Sequence, residues 1–209
     1  MDLTKGTEEE KRARSKKMML WFAIISMSMM FAGLTSAYVV SKTRPDWLSE
    51  FELPSAFVWS TLIILLSSFT LHFAKELIVK NKRDQASYLM WITLLLGAAF
   101  VYLQISGFEQ ILSEGFYFTG SASSITTTFV YLIVIAHLAH IFAGIIVLLV
   151  VIYNHYKQRY KAGQMLGIEL GATFWHFVDV LWIFLFLFLY FYKHLLFHFY
   201  ISCKYQNKV

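Results

Sequence analysis

Residues 126–153 read TTTFVYLIVIAHLAHIFAGIIVLLVVIY, a run without Asp, Glu, Lys or Arg. An α-helix rises about 1.5 Å per residue, so about 20 apolar residues cross the ~30 Å hydrocarbon core of a bilayer. This run exceeds that length and carries no polar face that would suit a soluble helix. Four further stretches meet the same requirement, at about Met18–Val40, Ser55–Val79, Ala86–Ser106 and Ile168–Tyr192. Lipid offers no hydrogen-bond partners, so each stretch must satisfy its own backbone, which means a helix. The expectation is an all-α polytopic membrane protein with a bundle of five transmembrane helices. Residues 18–193 form one domain, flanked by a basic tail at 1–17 and a C-terminal tail at 194–209.

Composition agrees with this reading. The chain is 58% hydrophobic and 15% charged, where a soluble domain is nearer half apolar and a quarter charged. Two prolines and one cysteine leave no evident linker, no disulfide framework and no CxxC site. KRARSKK before the first span imitates a secretory signal, but the span's length and the four that follow favour a retained anchor. The net charge of +5 need not point to nucleic acid, because the basic residues lie between spans, where topology explains them. Placing the N-terminus inside puts six Lys and Arg in the first tail. Lys75, Lys80, Lys82 and Arg83 join them from the second inner loop, and Lys157, Arg159 and Lys161 from the third. Outside remain Lys42, Arg44, Lys193, Lys204 and Lys208. The positive-inside rule then makes the N-terminus cytoplasmic and the C-terminus external.

Two spans hold ionisable residues near their centres. The fourth has His137 and His140, and the fifth, within FWHFVDVLW at 174–182, has His176 and Asp179. Each pair is spaced i, i+3 and so shares a helix face. Gly144 lies one turn beyond His140 and leaves room for a neighbouring helix, while Glu169 falls on the stripe of His176. A charged carboxylate at mid-membrane costs about 2.5–3.5 kcal/mol even on the insertion scale, so Asp179 should face protein. The two pairs lie at similar depths on consecutive antiparallel helices, so His176 or Asp179 is expected to contact His137 or His140. Three readings stay open: a structural hydrogen-bond network of these four residues and Glu169, with Trp175 and Trp182 offering indole N–H groups, a proton relay, or a metal site. Gln104 and Glu109 are expected to close the third helix at the outer face, and 107–125 to form a compact outer loop. His72 is expected at the interface.

FWHFVDVLW, with HLAHIFAG upstream, resembles subunit III of the haem–copper terminal oxidases, whose last helix reads WHFVDVVW and whose preceding helix reads HGLHVIIG. Trp175 to Val180 and Trp182 match the first motif, and His137, His140 and Gly144 the second. Glu169 stands seven residues before His176, as the family's glutamate does. The likeness continues through LPSAFVWSTLIILLSSFTLHFA and through LLGAAFVYLQ, where Gly97, Phe100 and Gln104 fall in register, and covers about residues 17–193. The family's first-helix acidic residue falls on Met27, and the chain is similar to the five-helix form that lacks the first two helices of the seven-helix one.

The resemblance implies a multi-pass protein of the bacterial cytoplasmic membrane, with no catalytic residue, haem, copper or other metal of its own. It implies oxidase subunits I and II as partners, which hold the haem and copper, together with membrane phospholipid and a larger respiratory supercomplex, and no nucleic acid. Its role is to support stability, lipid binding and proton uptake of a catalytic subunit that reduces O2 and pumps protons. A quinol oxidase subunit III or an accessory subunit of a nitric oxide reductase shares the fold. An independent proton or metal transporter would use the same histidines and Asp179, but no internal repeat accompanies them.

Overall fold

The computed structural model describes residues 7–48, 53–118, 120, 123–158, 160 and 165–206, with side chains of the last helix described as far as Phe191. Lys5, Arg159, Lys161 and Lys208, counted in the charge tally above, lie outside the described residues. The architecture is all-α, with helices α1 (Glu8–Val40), α2 (Ser55–Val79), α3 (Arg83–Ser113), α4 (Ile125–Tyr156) and α5 (Leu166–Gln206). All five are long and apolar enough to cross a membrane.

Most helices overrun the expected spans. From Glu8 the basic stretch is helical and continuous with the first span, since Thr7 and Glu10 form a reciprocal capping box and Glu8, Glu9 and Glu10 sit in the first turn. Such a cap satisfies N–H groups that a helix start leaves bare, and the acids oppose the helix dipole. At the other end, α5 runs on to Gln206, through most of the stretch expected to be a tail. Residues 107–113, expected in the outer loop, belong to α3, and the chain turns only at Glu114 and Gly115, where φ is +84°. Glycine takes that left-handed conformation without steric cost.

The buried positions explain how the helices meet. On α3 they are Ala86, Met90, Thr93, Gly97, Phe100, Gln104, Gly107 and Ile111, spaced alternately by four and three. On α2 the same alternation runs through Phe57, Ser60, Ile64, Ser67, Leu71, Ala74 and Ile78. A 3.5-residue period is the seam of left-handed supercoiled packing, the commonest arrangement in membrane bundles. Because lipid is as apolar as leucine, small and hydroxylated residues at the seam bring the backbones close and supply the attraction. The α2–α3 hairpin, joined by a tight turn at Asn81 (φ 58°), is the most extensive pair.

Helix α3 also packs on α4, α4 on α5 and α5 on α2, which closes a four-helix ring, and α1 lies against α4 and α5. Near its start α1 is pinned by an ion pair, Lys17 Nζ to Glu169 Oε2 at 3.2 Å. Farther along, Tyr38 packs against Trp47, Phe129 and Phe188. Between these ends α1 buries Ile24, Met27, Phe31 and Thr35 and leaves most of its other side chains exposed.

Candidate functional site

The centre of the ring is built around two tryptophans of α5. Trp175 is 2% exposed, and its indole lies in a slot between glycines of two helices. A Cβ built on Gly97 of α3 would stand 2.8 Å from Trp175 Cη2, and one on Gly144 of α4 would stand 3.2 Å from Cε3. A side chain at Gly97 would displace the indole, and one at Gly144 would fit only if the indole gave by a few tenths of an ångström. The buried indole N–H needs a partner, and Trp175 Nε1 donates to Ser67 Oγ of α2 at 2.9 Å. One helical repeat further on, Trp182 Nε1 donates to Thr61 Oγ1 at 3.0 Å. The indoles therefore tie α5 to α2 rather than to the histidine–aspartate pairs.

Helix α2 supplies acceptors because its hydroxyls back-bond to their own helix, Ser60 and Thr61 both donating to the Phe57 carbonyl at 2.9 and 2.7 Å. That leaves oxygen lone pairs free to accept across the interface. Gln104 uses one: its side chain is wholly buried and Nε2 donates to Ser60 Oγ at 2.8 Å. Gln104 thus sits more than two turns inside α3, not at its outer end as expected. The hydroxyls of Thr70 and Thr93 approach to 2.8 Å and tie α2 to α3 again. Sequence reasoning passed over this ladder. Its signal was present as Ser60 and Ser67 on α2 and Thr93 and Gln104 on α3, small or polar positions on the 3.5-residue seams of otherwise aliphatic helices.

Of the five residues expected in the buried network, His137, His140, His176 and Asp179 divide into two places. His137 is fully buried on α4, 4.9 Å from the Trp182 ring at an interplanar angle of 33°, and walled by Phe31 of α1 and Phe100 of α3. Neither of its ring nitrogens has a protein hydrogen-bond partner. His140, half-buried, places Nδ1 2.7 Å from the Ala136 carbonyl, and since a carbonyl only accepts, that nitrogen carries the proton. Its ring packs on Phe31.

His176 lies elsewhere, on the α2–α5 side, where Nδ1 is 2.6 Å from Ser68 Oγ. With Leu65, Ser68, Phe69 and His72 it lines an open groove. Asp179 lies one turn beyond His176, 1% exposed, and neither carboxyl oxygen has a hydrogen bond. The Ser68 hydroxyl lies close to this carboxyl without a hydrogen bond to it. No hydrogen bond joins His137 or His140 to His176 or Asp179 among the described residues.

Glu169 stands apart from the core. It lies ten residues, or about 15 Å of helix, before Asp179, its side chain 40% exposed and paired with Lys17. The stripe it shares with His176 leaves the protein interior at that end of α5. His72 is exposed and pairs with Glu76 at 3.5 Å. Among the described residues, no three His, Cys, Asp or Glu side chains gather closely enough to hold a metal ion. The arrangement is a tryptophan- and hydroxyl-braced core with one imidazole sealed inside it, and one carboxyl set behind an open groove.

Comparison with known proteins places this architecture. The family model described as cytochrome c oxidase subunit III matches residues 5–194. Cytochrome c oxidase subunit 3 of Thermostichus vulcanus is 33% identical over 166 residues, 78% of this chain and 80% of that one. Cytochrome bo(3) ubiquinol oxidase subunit 3 of Pseudomonas aeruginosa is 30% identical over 167 residues, 78% of each chain. The subunit 3 of a Bacillus species is 28% identical over 178 residues, 82% of this chain and 83% of the other. With the match running through all five membrane helices, the chain belongs to the cytochrome c oxidase subunit III family.

Proposed function

We propose that the chain is the non-redox third subunit of a proton-pumping haem–copper terminal oxidase in a bacterial cytoplasmic membrane. It sustains the catalytic subunit's durability, its lipid environment and its proton uptake. The observation that carries this reading is the family match over residues 5–194, which takes in the His137–His140 and Trp175–Trp182 motifs. The core they build is braced by hydrogen bonds and aromatic contacts, a construction suited to holding helices in register. Haem and copper then belong to subunits I and II, and O2 reduction is their chemistry. Relatives of both the cytochrome c and the ubiquinol kind support either electron donor.

The charge bias supports a cytoplasmic N-terminus and an external C-terminus. The Lys17–Glu169 pair accords with it, since both residues fall on the side that the bias assigns to the cytoplasm. Alkaline phosphatase fused after Val209 should be active in cells, and a silent fusion paired with a fluorescent cytoplasmic reporter at the same site would reverse the topology.

Deleting the chain tests the supporting role. Haem content of the remaining complex should stay near wild type and initial O2 consumption should be largely retained, with activity then decaying over many turnovers. Loss of haem incorporation would make the role one of assembly, and undiminished durability would remove the supporting role altogether.

A further inference from the structure

Asp179 poses a question that the bracing of the core leaves open. It is 1% exposed, it belongs to a membrane helix, and neither oxygen has a hydrogen bond. An ionised carboxylate in that position would be costly without a cationic partner, and no ion pair involving Asp179 is present among the described residues. The groups nearest to it form a series. Asp179 stands one turn beyond His176 on α5, the Ser68 hydroxyl of α2 lies close to its carboxyl, and Ser68 Oγ is 2.6 Å from His176 Nδ1. The His176 ring reaches the open groove between α2 and α5, where the His72 ring is 6.4 Å away, centroid to centroid. The Lys75 charge lies near enough to act on His176 electrostatically, and Glu76 pairs with His72. His72 lies two turns before the end of α2, on the way to the charged α2–α3 turn.

We propose that Asp179 is a proton-binding site connected to the α2–α5 groove through the Ser68 hydroxyl and the His176 imidazole. A hydroxyl has one proton to give and lone pairs to receive another, so Ser68 serves both neighbours in turn. A small turn of either side chain closes the hydrogen bond between Asp179 and Ser68 that the resting geometry lacks. The proton that Asp179 then releases passes to Ser68 Oγ, while the proton already on Ser68 moves to His176 Nδ1. The imidazolium so formed loses its Nε2 proton to the groove, and uptake runs the same steps in reverse. Rotation of the Ser68 hydroxyl and a tautomer change of His176 reset the chain. Protons are conserved at each step and no other reactant is needed. The site goes beyond the supporting role above and does not depend on which donor feeds the oxidase.

Infrared spectroscopy of the whole purified complex tests this without an activity readout. A carboxylic-acid C=O band that disappears in Asp179→Asn should be present in the wild type, and transfer to D2O should shift it. If the asparagine variant does not assemble, Asp179→Glu should move the band instead of deleting it. In Ser68→Ala, and in His176→Phe, the deuterium shift should develop at least about tenfold more slowly, the factor given by one lost step of modest barrier. Absence of a protonated-carboxyl band for Asp179, or failure of the wild-type band to exchange, would overturn the proposal. So would exchange at the wild-type rate in Ser68→Ala. None of these results bears on the chain's membership of the oxidase.

Discussion

Trp175 shows what a single residue contributes to this fold. Its ring is large enough to touch three neighbouring helices at once, and Gly97 and Gly144 make the slot that admits it. Helical glycine ordinarily lowers helix propensity by about 1 kcal/mol relative to alanine, so a glycine in mid-helix needs a packing reason. Gly97 has one, and Gly33 does not, because nothing lies within 4 Å of a Cβ built there. Gly97→Ala should therefore destabilise the bundle by about 1–3 kcal/mol, the usual cost of overpacking a tight core. Gly33→Ala should be neutral within about 1 kcal/mol. Thermal denaturation of the detergent-solubilised complex, followed by the fraction of the chain remaining bound, compares the two variants. Equal midpoints would mean that the slot around Trp175 relaxes freely. Gly97 and Trp175 were both visible in the sequence, yet their contact was not, because it joins positions 78 residues apart on different helices.

At the scale of the helix, α2 acts as a rail of hydroxyl acceptors. Ser60 receives Gln104, Thr61 receives Trp182 and Ser67 receives Trp175, so one helix anchors both α3 and α5. Hydrogen bonds between membrane helices average about 0.6 kcal/mol in double-mutant cycles and reach about 1.7. A cycle of Ser67→Ala and Trp175→Phe should give a coupling energy of about 0.5–1.5 kcal/mol, read from denaturation of the complex. A coupling near zero would mean that the indole is held by its glycine slot alone. The five helices themselves were legible from hydropathy, because lipid demands long apolar runs. Their contacting faces were harder to read. The outward side of each helix is as apolar as the inward side, so hydrophobic periodicity says little, and the seam is marked instead by small and polar residues. The expected joining of the two histidine-containing pairs rested on their similar depth. Depth leaves rotation about the helix axis undetermined, and rotation puts His137 among aromatic rings and His176 beside Ser68.

For the whole molecule, the ring of α2 to α5 with α1 alongside leaves extensive apolar surface, including Trp21, Phe22 and Met29 on α1 and Trp59 and Phe69 on α2. In a membrane such surface meets lipid or other subunits, and the family assignment names the complex to which the chain belongs. Recognition of that complex was legible from local motifs, since WHFVDV and its upstream histidines are contiguous stretches of sequence. The ends of the helices were less so: the capping box at Thr7 and the continuation of α5 to Gln206 extend structure into segments whose charge or composition resembles a tail. The central claim is that this chain resides in a haem–copper oxidase. Its most direct test is affinity purification of the tagged chain from native membranes in mild detergent, with the optical spectrum and metal content of the product recorded. Residence in the oxidase predicts reduced-minus-oxidised haem bands, copper, and oxidase subunits I and II in equal amount with the tagged chain. A chain recovered alone, or with zinc in place of haem and copper, would contradict it.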